Sequence, residues 1–111
     1  MLQKTYLRKL LAECVTEGWT IYAVDNGEER IVKAWTPTTA TNEACETDDA
    51  WIMLKRGTET GTLAIVWQGP VSSYPQGEEV VNDYSLSLEG VVERFDAKVS
   101  APLVHDRHFH V

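Results

Sequence analysis

The 111-residue chain is 43% hydrophobic and 24% charged, with a formal net charge of −7. Its length suits one domain of ordinary globular composition, and no apolar run approaches the ~20 residues that a membrane-spanning helix needs. The negative charge repels nucleic-acid phosphates, and no signal-peptide apolar block follows the basic residues near the N-terminus. We therefore expect a cytoplasmic protein that binds neither a membrane nor nucleic acid directly.

Residues 3–17 have the apolar spacing of an amphipathic helix. The apolar positions repeat every three or four residues, as one face of a helix requires, and they are Leu7, Leu10, Leu11, Cys14 and Val15. Gly18 suits the position after the helix end, which often has a left-handed backbone. Cys14 falls on the apolar stripe, so we interpret it as a reduced cysteine of the core.

Residues 19–35 are typical of a β-hairpin. In the first strand Trp19, Ile21 and Ala23 are predicted to face one side and Thr20, Tyr22 and Val24 the other, as in a strand with one buried face. The connecting Asn26-Gly27 pair favours a type I′ turn, in which both central residues have positive φ. Residues 31–35 are predicted to return as the second strand, and Pro37 ends regular pairing.

The polar segment 36–49 allows two interpretations. Thr41 or Asn42 could cap one helical turn that continues through Cys45, or the segment could be a loop. Cys45 has a glutamate close on each side, and neighbouring carboxylates raise a thiol pKa and reduce its reactivity. Because nothing in this stretch supplies a positioned base, we do not expect a catalytic cysteine.

A second hairpin is predicted from two apolar runs. Residues 50–56 and 62–68 form its strands, and residues 57–61 form the connection. The second strand is nearly all apolar, so we expect it to be the central strand of the sheet, covered on both faces.

A short strand over residues 78–85 and a helix over residues 86–99 complete the predicted elements. Ser85 is the expected helix N-cap, and apolar residues again repeat every three or four positions. Pro102 is expected to end the helix.

These boundaries predict a single domain over residues 1–102 and a C-terminal tail over residues 103–111. The tail contains all three histidines of the chain. A cluster at the end of a chain lacks the packed surroundings that orient metal ligands, so we expect no metal site there.

The order of these elements resembles a group of small uncharacterised proteins encoded by bacteriophages and prophages. The likeness covers residues 3–98, and its most specific positions are Gly77, Glu79, Val80, Val81, Asp83 and Tyr84. The chain departs from that group in a longer loop at residues 68–77 and after residue 100. The resemblance implies a phage-infected bacterial cytoplasm as the setting and implies no particular chemistry.

Three carboxylates in the last predicted strand, Glu78, Glu79 and Asp83, could act as general acid and base or bind Mg²⁺. On an extended strand Glu79 and Asp83 share one face but lie ~13 Å apart, at ~3.3 Å per residue, too far for one metal ion or one acid–base pair. We therefore interpret the carboxylates as charges of an edge strand that block unwanted pairing.

No phosphate-binding glycine loop, Walker motif, cysteine pair or nucleophilic serine elbow occurs in the sequence. We therefore expect no catalytic residues, no cofactor and no bound metal. The acidic balance instead favours a protein that contacts a basic surface of another protein.

The sequence thus predicts an α+β fold: an antiparallel sheet of four or five strands with an N-terminal and a C-terminal helix packed on one face. We expect a phage-encoded, non-enzymatic protein that binds a host bacterial protein, and inhibition of a bacterial defence system is one such role. The expected contact residues are Tyr74, Glu78, Glu79, Asp83 and Tyr84. Alternatives are a small enzyme or ligand-binding protein that uses the carboxylates at 78–83, and an oligomeric structural protein; a homodimer is also left open.

Overall fold

Helices pack on one face of a five-stranded antiparallel sheet in the computed structural model, which describes residues 3–67 and 80–109 and, for residues 100–109, the backbone alone. The helices are α1 (Gln3–Thr16), α2 (Pro37–Ala44) and α3 (Glu89–Phe109), and a 3-10 segment, Leu86–Leu88, precedes α3. The strands are β1 (Thr20–Asp25), β2 (Arg30–Val32), β3 (Asp49–Arg56), β4 (Glu59–Val66) and β5 (Val81–Tyr84). The predicted α+β architecture is confirmed.

The strand order is β2-β1-β3-β4-β5, with β3 in the centre. The expectation that the apolar strand β4 is central and covered on both faces is wrong. Alternate β4 residues, from Gly61 to Ile65, are buried, whereas the residues between them are partly exposed. Among the described residues, the helices pack on the opposite side of the sheet from these partly exposed β4 residues.

The end of α1 follows the predicted pattern. Gly18 has a φ of 97°. Its N–H donates to the Val15 carbonyl at 3.0 Å, and the Trp19 N–H donates to the Cys14 carbonyl at 3.0 Å. This pair of bonds is the Schellman motif, which satisfies carbonyls at a helix end and needs a left-handed residue at this position.

The connection between β1 and β2 differs from the prediction. Asp25 pairs with Arg30, so four residues are enclosed rather than two, and Gly27 has a positive φ while Asn26 does not. The Asn26 side-chain oxygen accepts from the N–H groups of Glu28 and Glu29 at 2.9 and 3.0 Å. These side-chain bonds stabilise a wider turn than the type I′ turn that Asn-Gly favours.

A β-bulge in β1 changes which residues face the helices. The pairing with β3 shifts between Ile21 and Ala23, leaving Tyr22 as the extra residue. Ile21 and Val24 therefore both contribute to the helix-side core, whereas Ala23, opposite Met53, belongs to the other face. The simple alternation predicted for this strand fails at Tyr22, because a bulge moves later side chains to the opposite face.

Of the two interpretations of residues 36–49, the structure contains the helix. α2 begins earlier than predicted, with Thr36 as N-cap and Pro37 in the first turn, so Thr41 lies inside the helix. The Thr36 and Thr39 side chains form a reciprocal capping box. The Trp67 indole N–H donates to the Ala44 carbonyl at 2.7 Å and ties the helix end to the sheet.

The β3–β4 hairpin has a tighter turn than predicted. Arg56 pairs with Glu59, which leaves Gly57 and Thr58 as a two-residue connection. Gly57 has a φ of 61°, which suits the first central position of a type II′ turn. Gly61, expected in the connection, is a buried residue of β4.

Beyond β5, the expected strand-to-helix junction is present with different hydrogen bonds. Ser85 precedes the 3-10 segment but makes no side-chain cap. Its hydroxyl instead accepts from the Thr62 N–H at 3.0 Å, and the Ser87 hydroxyl donates to the Thr60 carbonyl at 2.7 Å. The two serines therefore fasten the segment to β4.

α3 continues through Pro102 to Phe109, so the expectation that Pro102 ends the helix is wrong. Proline has a helical φ and removes one backbone donor, which a helix can tolerate with a local kink. The part of α3 nearest the sheet contributes Val91, Val92 and Phe95 to the core. Whether residues 103–111 behave as a separable tail stays a prediction.

Candidate functional site: the open face of the sheet

The face of the sheet opposite the helices, called here the open face, has one row of residues that crosses all five strands. Direct pairing aligns them in the order Arg30, Asp25, Trp51, Ala64 and Asp83. Because neighbouring strands lie ~4.8 Å apart, the row measures about 19 Å from end to end. Trp51 is at its centre, on the central strand.

Trp51 is the exposed tryptophan of this protein, with 38% of its surface accessible. The other three are 2–9% exposed, and each has a structural partner. The Arg56 guanidinium lies over Trp19, the Trp35 indole N–H donates to the Ile31 carbonyl, and Trp67 bonds to α2 as described above. No comparable internal contact accounts for the position of Trp51 among the residues that the structure describes.

The Trp51 ring borders two shallow depressions on the open face. One, of about 240 Å³, lies toward β5 and is lined by Trp51, Thr62, Ala64, Asp83, Tyr84 and Ser85. The other, of about 370 Å³, lies toward β2 and is lined by Asp25, Gly27, Arg30, Trp51 and Met53. A single aromatic side chain thus forms a wall of both depressions.

The charges around Trp51 are mostly negative. Asp25 lies beside it on β1, Asp83 lies two strands away, and Asp49 precedes it by two residues on the same face of β3. The Arg30 guanidinium is 3.7 Å from the Asp25 carboxylate. Lys55, farther along β3, lies over the Tyr22 ring at 5.4 Å.

Two of the predicted contact residues meet at the sheet edge. Asp83 and Tyr84 are adjacent on β5, and the Asp83 carboxylate accepts from the Tyr84 N–H at 2.8 Å. That bond occupies a backbone donor of an edge strand, which would otherwise be available to pair with another strand. Tyr74, Glu78 and Glu79 lie outside the described residues.

Trp51 itself was missed by the sequence prediction. The signal was available in β3, where Asp49, Trp51 and Lys55 share the same odd-numbered parity while Ala50, Ile52 and Leu54 share the other. The polar members of the odd set indicate that this tryptophan faces solvent.

The pKa of both cysteine thiols is raised, and the main cause is burial rather than the neighbouring carboxylates that the sequence suggested for Cys45. Burial raises the pKa of the Cys14 thiol to about 12, with smaller contributions from Glu17 and Glu13. Burial is also the main cause that raises the pKa of Cys45; Glu46 adds to it and Lys4 opposes it. Desolvation outweighs the neighbouring carboxylates in both cases.

Among the side chains that the structure describes, those of residues 3–67 and 80–99, no group of three or more from histidine, cysteine, aspartate or glutamate could hold a metal ion. Each of the described helices is too short or too polar to cross a bilayer.

Comparisons of the chain with protein-family models, with curated proteins and with solved structures found no match.

Proposed function

We propose that the protein is a small phage-encoded, non-enzymatic binding module that acts on a host bacterial protein, and that its open face is the contact surface. A component of a bacterial defence system is the class of target that suits this setting. The phage setting rests on the resemblance at residues 77–84, and the binding role rests on the open face.

The observation that carries the proposal is the exposure of Trp51 at the centre of a sheet face that none of the described helices covers. Tryptophan and tyrosine are enriched among the residues that dominate protein–protein binding energy, and such anchors cluster near the centre of an interface. Tyr84, 36% exposed and bordering the same depression, supplies a second aromatic contact.

Charge supports a protein partner rather than a nucleic acid. The chain has 17 acidic and 10 basic residues, and nucleic-acid phosphates would be repelled by that balance. Acidic residues beside an aromatic anchor accelerate association with a basic protein surface. Raised salt screens the charges and weakens that acceleration.

Affinity capture from a bacterial lysate, followed by mass spectrometry, tests the proposal. We expect the wild-type chain to retain a protein that Trp51→Ala loses and Tyr84→Ala retains more weakly. Leu86→Ala is the matched control, because Leu86 is 85% exposed and lies outside both depressions.

Capture that is indifferent to both aromatic substitutions would place the interface elsewhere. Turnover of a small molecule or nucleic acid that Asp83→Asn abolishes would replace the binding module with the enzyme alternative.

A further inference from the structure

The depression between Trp51 and Asp83 has the composition of a site for a guanidinium group. Ala64 pairs with Trp51 on one side and with Asp83 on the other, so a small side chain separates an aromatic wall from a carboxylate wall. Two strand spacings, about 10 Å, lie between the two walls at the backbone. The depression between these walls has a volume of about 240 Å³, which is room enough for a planar cation.

The depression on the other side of Trp51 provides an internal comparison. There the carboxylate, Asp25, has a guanidinium of the same chain beside it, from Arg30. No described cation makes a contact of that kind with Asp83. On one side of the indole the carboxylate therefore has a cation partner, whereas on the other side the Asp83 carboxylate accepts from the Tyr84 N–H and has no cation partner among the described residues.

The remaining aromatic residues show how this chain uses its cations. Arg56 lies over Trp19 at 4.7 Å and Lys33 over Trp35 at 4.2 Å, measured to the ring centroid. Within the described residues, no such cation covers Trp51. Its exposed ring and the nearby carboxylates leave a surface that is complementary to a cation supplied from outside.

We propose that the open face binds an arginine side chain of its protein partner, with the guanidinium stacked on Trp51 and hydrogen-bonded to the Asp83 carboxylate. This inference rests on the proposed function and specifies the chemistry of the partner. Arginine fits better than lysine, because its flat guanidinium stacks on an indole and donates two parallel hydrogen bonds to a carboxylate. An apolar partner side chain would leave Asp83 facing a surface that cannot pair with it.

Titration of the isotope-labelled full chain with N-acetyl-arginine amide, followed by NMR, tests the inference. We expect saturable shifts of the Trp51 indole N–H and the Ala64 amide. N-acetyl-lysine amide should bind about threefold more weakly or worse, because it lacks the stacking plane. Raised salt should weaken both.

Asp83→Asn is the decisive variant, since an asparagine side-chain oxygen can still accept from the Tyr84 N–H and preserve the edge. It should weaken arginine binding by about tenfold through loss of the charge-assisted bonds. Glu28→Gln removes an exposed acid from the β1–β2 turn and should leave binding unchanged. Arginine and lysine binding that are equal, absent or insensitive to Asp83→Asn would overturn the arginine inference.

The two proposals fail in distinguishable ways. If Trp51→Ala abolishes capture of a partner but N-acetyl-arginine amide does not bind, the arginine site is wrong and the binding module stands. If the arginine amide binds at Trp51 but neither Trp51→Ala nor Tyr84→Ala changes capture, the arginine site stands and this face is not the interface.

Discussion

Gly61 shows how one residue can fix the spacing between two elements. It is a buried residue of β4, and a Cβ atom added there would lie 2.7 Å from Leu88 Cγ and 2.9 Å from Ser87 Oγ. Leu88 is fully buried, so it has no open space into which to move. The absence of a side chain at residue 61 therefore allows the 3-10 segment to pack against β4.

We expect Gly61→Ala to lower the free energy of unfolding by about 1–3 kcal/mol, the usual cost of overpacking. Gly90→Ala is the matched control: its added Cβ would meet only the flexible end of Arg94, at 3.0 Å, and removal of a helix glycine stabilises by up to about 1 kcal/mol. Urea unfolding of both variants measures the difference. Equal effects of the two substitutions would contradict the packing argument.

The buried Cys14 thiol gives the protein a stability term that depends on pH. Its pKa in the folded protein is about 12, against an ordinary value of 9.0. Between these values the unfolded chain loses the thiol proton while the folded chain keeps it. The free energy of unfolding therefore falls as pH rises through this interval, by at most about 1.4 kcal/mol per pH unit.

Cys14→Ala should be less stable than wild type at pH 7.5, because a buried side chain is shortened. The difference should shrink between pH 9 and 10.5, where only the wild type has a thiol to titrate at this position. Urea unfolding in the presence of reductant at each pH gives the comparison. A constant difference across this range would contradict the prediction that the Cys14 thiol loses its proton in the unfolded chain while keeping it in the folded protein.

Polar contacts at the level of elements join α1 to α3. The Tyr6 hydroxyl donates to Asp96 at 2.5 Å, Lys98 pairs with Glu13 at 2.6 Å, and Arg94 pairs with Glu17. Glu13 and Glu17 lie near the C-terminal end of α1, where the helix dipole disfavours negative charge. Cations from α3 offset that unfavourable position.

Tyr6→Phe should lower the free energy of unfolding by about 1–3 kcal/mol, because Tyr6 is almost fully buried and its bond to Asp96 is charge-assisted. Tyr22→Phe is the control, since Tyr22 is partly exposed and packs under Lys55 through its ring. The double variant Tyr6→Phe/Asp96→Asn should lose less free energy of unfolding than the two single variants lose in sum, because both changes remove the same hydrogen bond. Full additivity in that thermal-melt cycle would contradict the contact.

Sequence periodicity predicted the elements whose structure depends on apolar spacing. α1 and the start of α3 have long apolar stripes. The predicted helices match the bounds of α1 and the start of α3 within a few residues, whereas α3 continues ten residues beyond its predicted end. The sequence does not distinguish a helix from a loop at α2, because small residues, Ala40 and Ala44, form most of its buried side. Its capping box and first-turn proline were local signals that apolar periodicity does not detect.

The errors in the strands arose from tertiary effects. The bulge at Tyr22 and the wide turn at Asn26 depend on bonds and packing that spacing alone does not specify. The candidate site divides in the same way. Asp83 and Tyr84 are predicted contact residues, and the alternation in β3 indicates that Trp51 faces solvent, but the strand order is needed to place Trp51 at the centre of the open face.

For the whole molecule, the extent of α3 raises the question of how much of it the fold needs. Its described contacts with the rest of the protein reach Val99, which packs against the core. We expect deletion of residues 103–111 to leave the fold intact and the melting temperature within about 4 °C of wild type, which corresponds to less than about 1 kcal/mol.

Deletion of residues 96–111 is the contrasting truncation, because it also removes Asp96, Lys98 and Val99. It should melt at a clearly lower temperature. Circular dichroism during thermal unfolding measures both. A large loss of stability from the shorter deletion would mean that the end of α3 docks on the domain.

The two-residue turn at Gly57 and Thr58 has a kinetic consequence. It joins β3 and β4 at the middle of the sheet, and the other strands add on either side of this pair. The β3–β4 pair therefore also has a very short loop to close. Local pairings form before distant ones because they cost less chain entropy.

Four residues inserted between Gly57 and Thr58 should slow refolding and barely change the unfolding rate, whereas the same insertion in the turn at residues 26–29 should mainly accelerate unfolding. Stopped-flow measurements of both variants would show whether folding begins at the centre of the sheet and spreads outward to its edges.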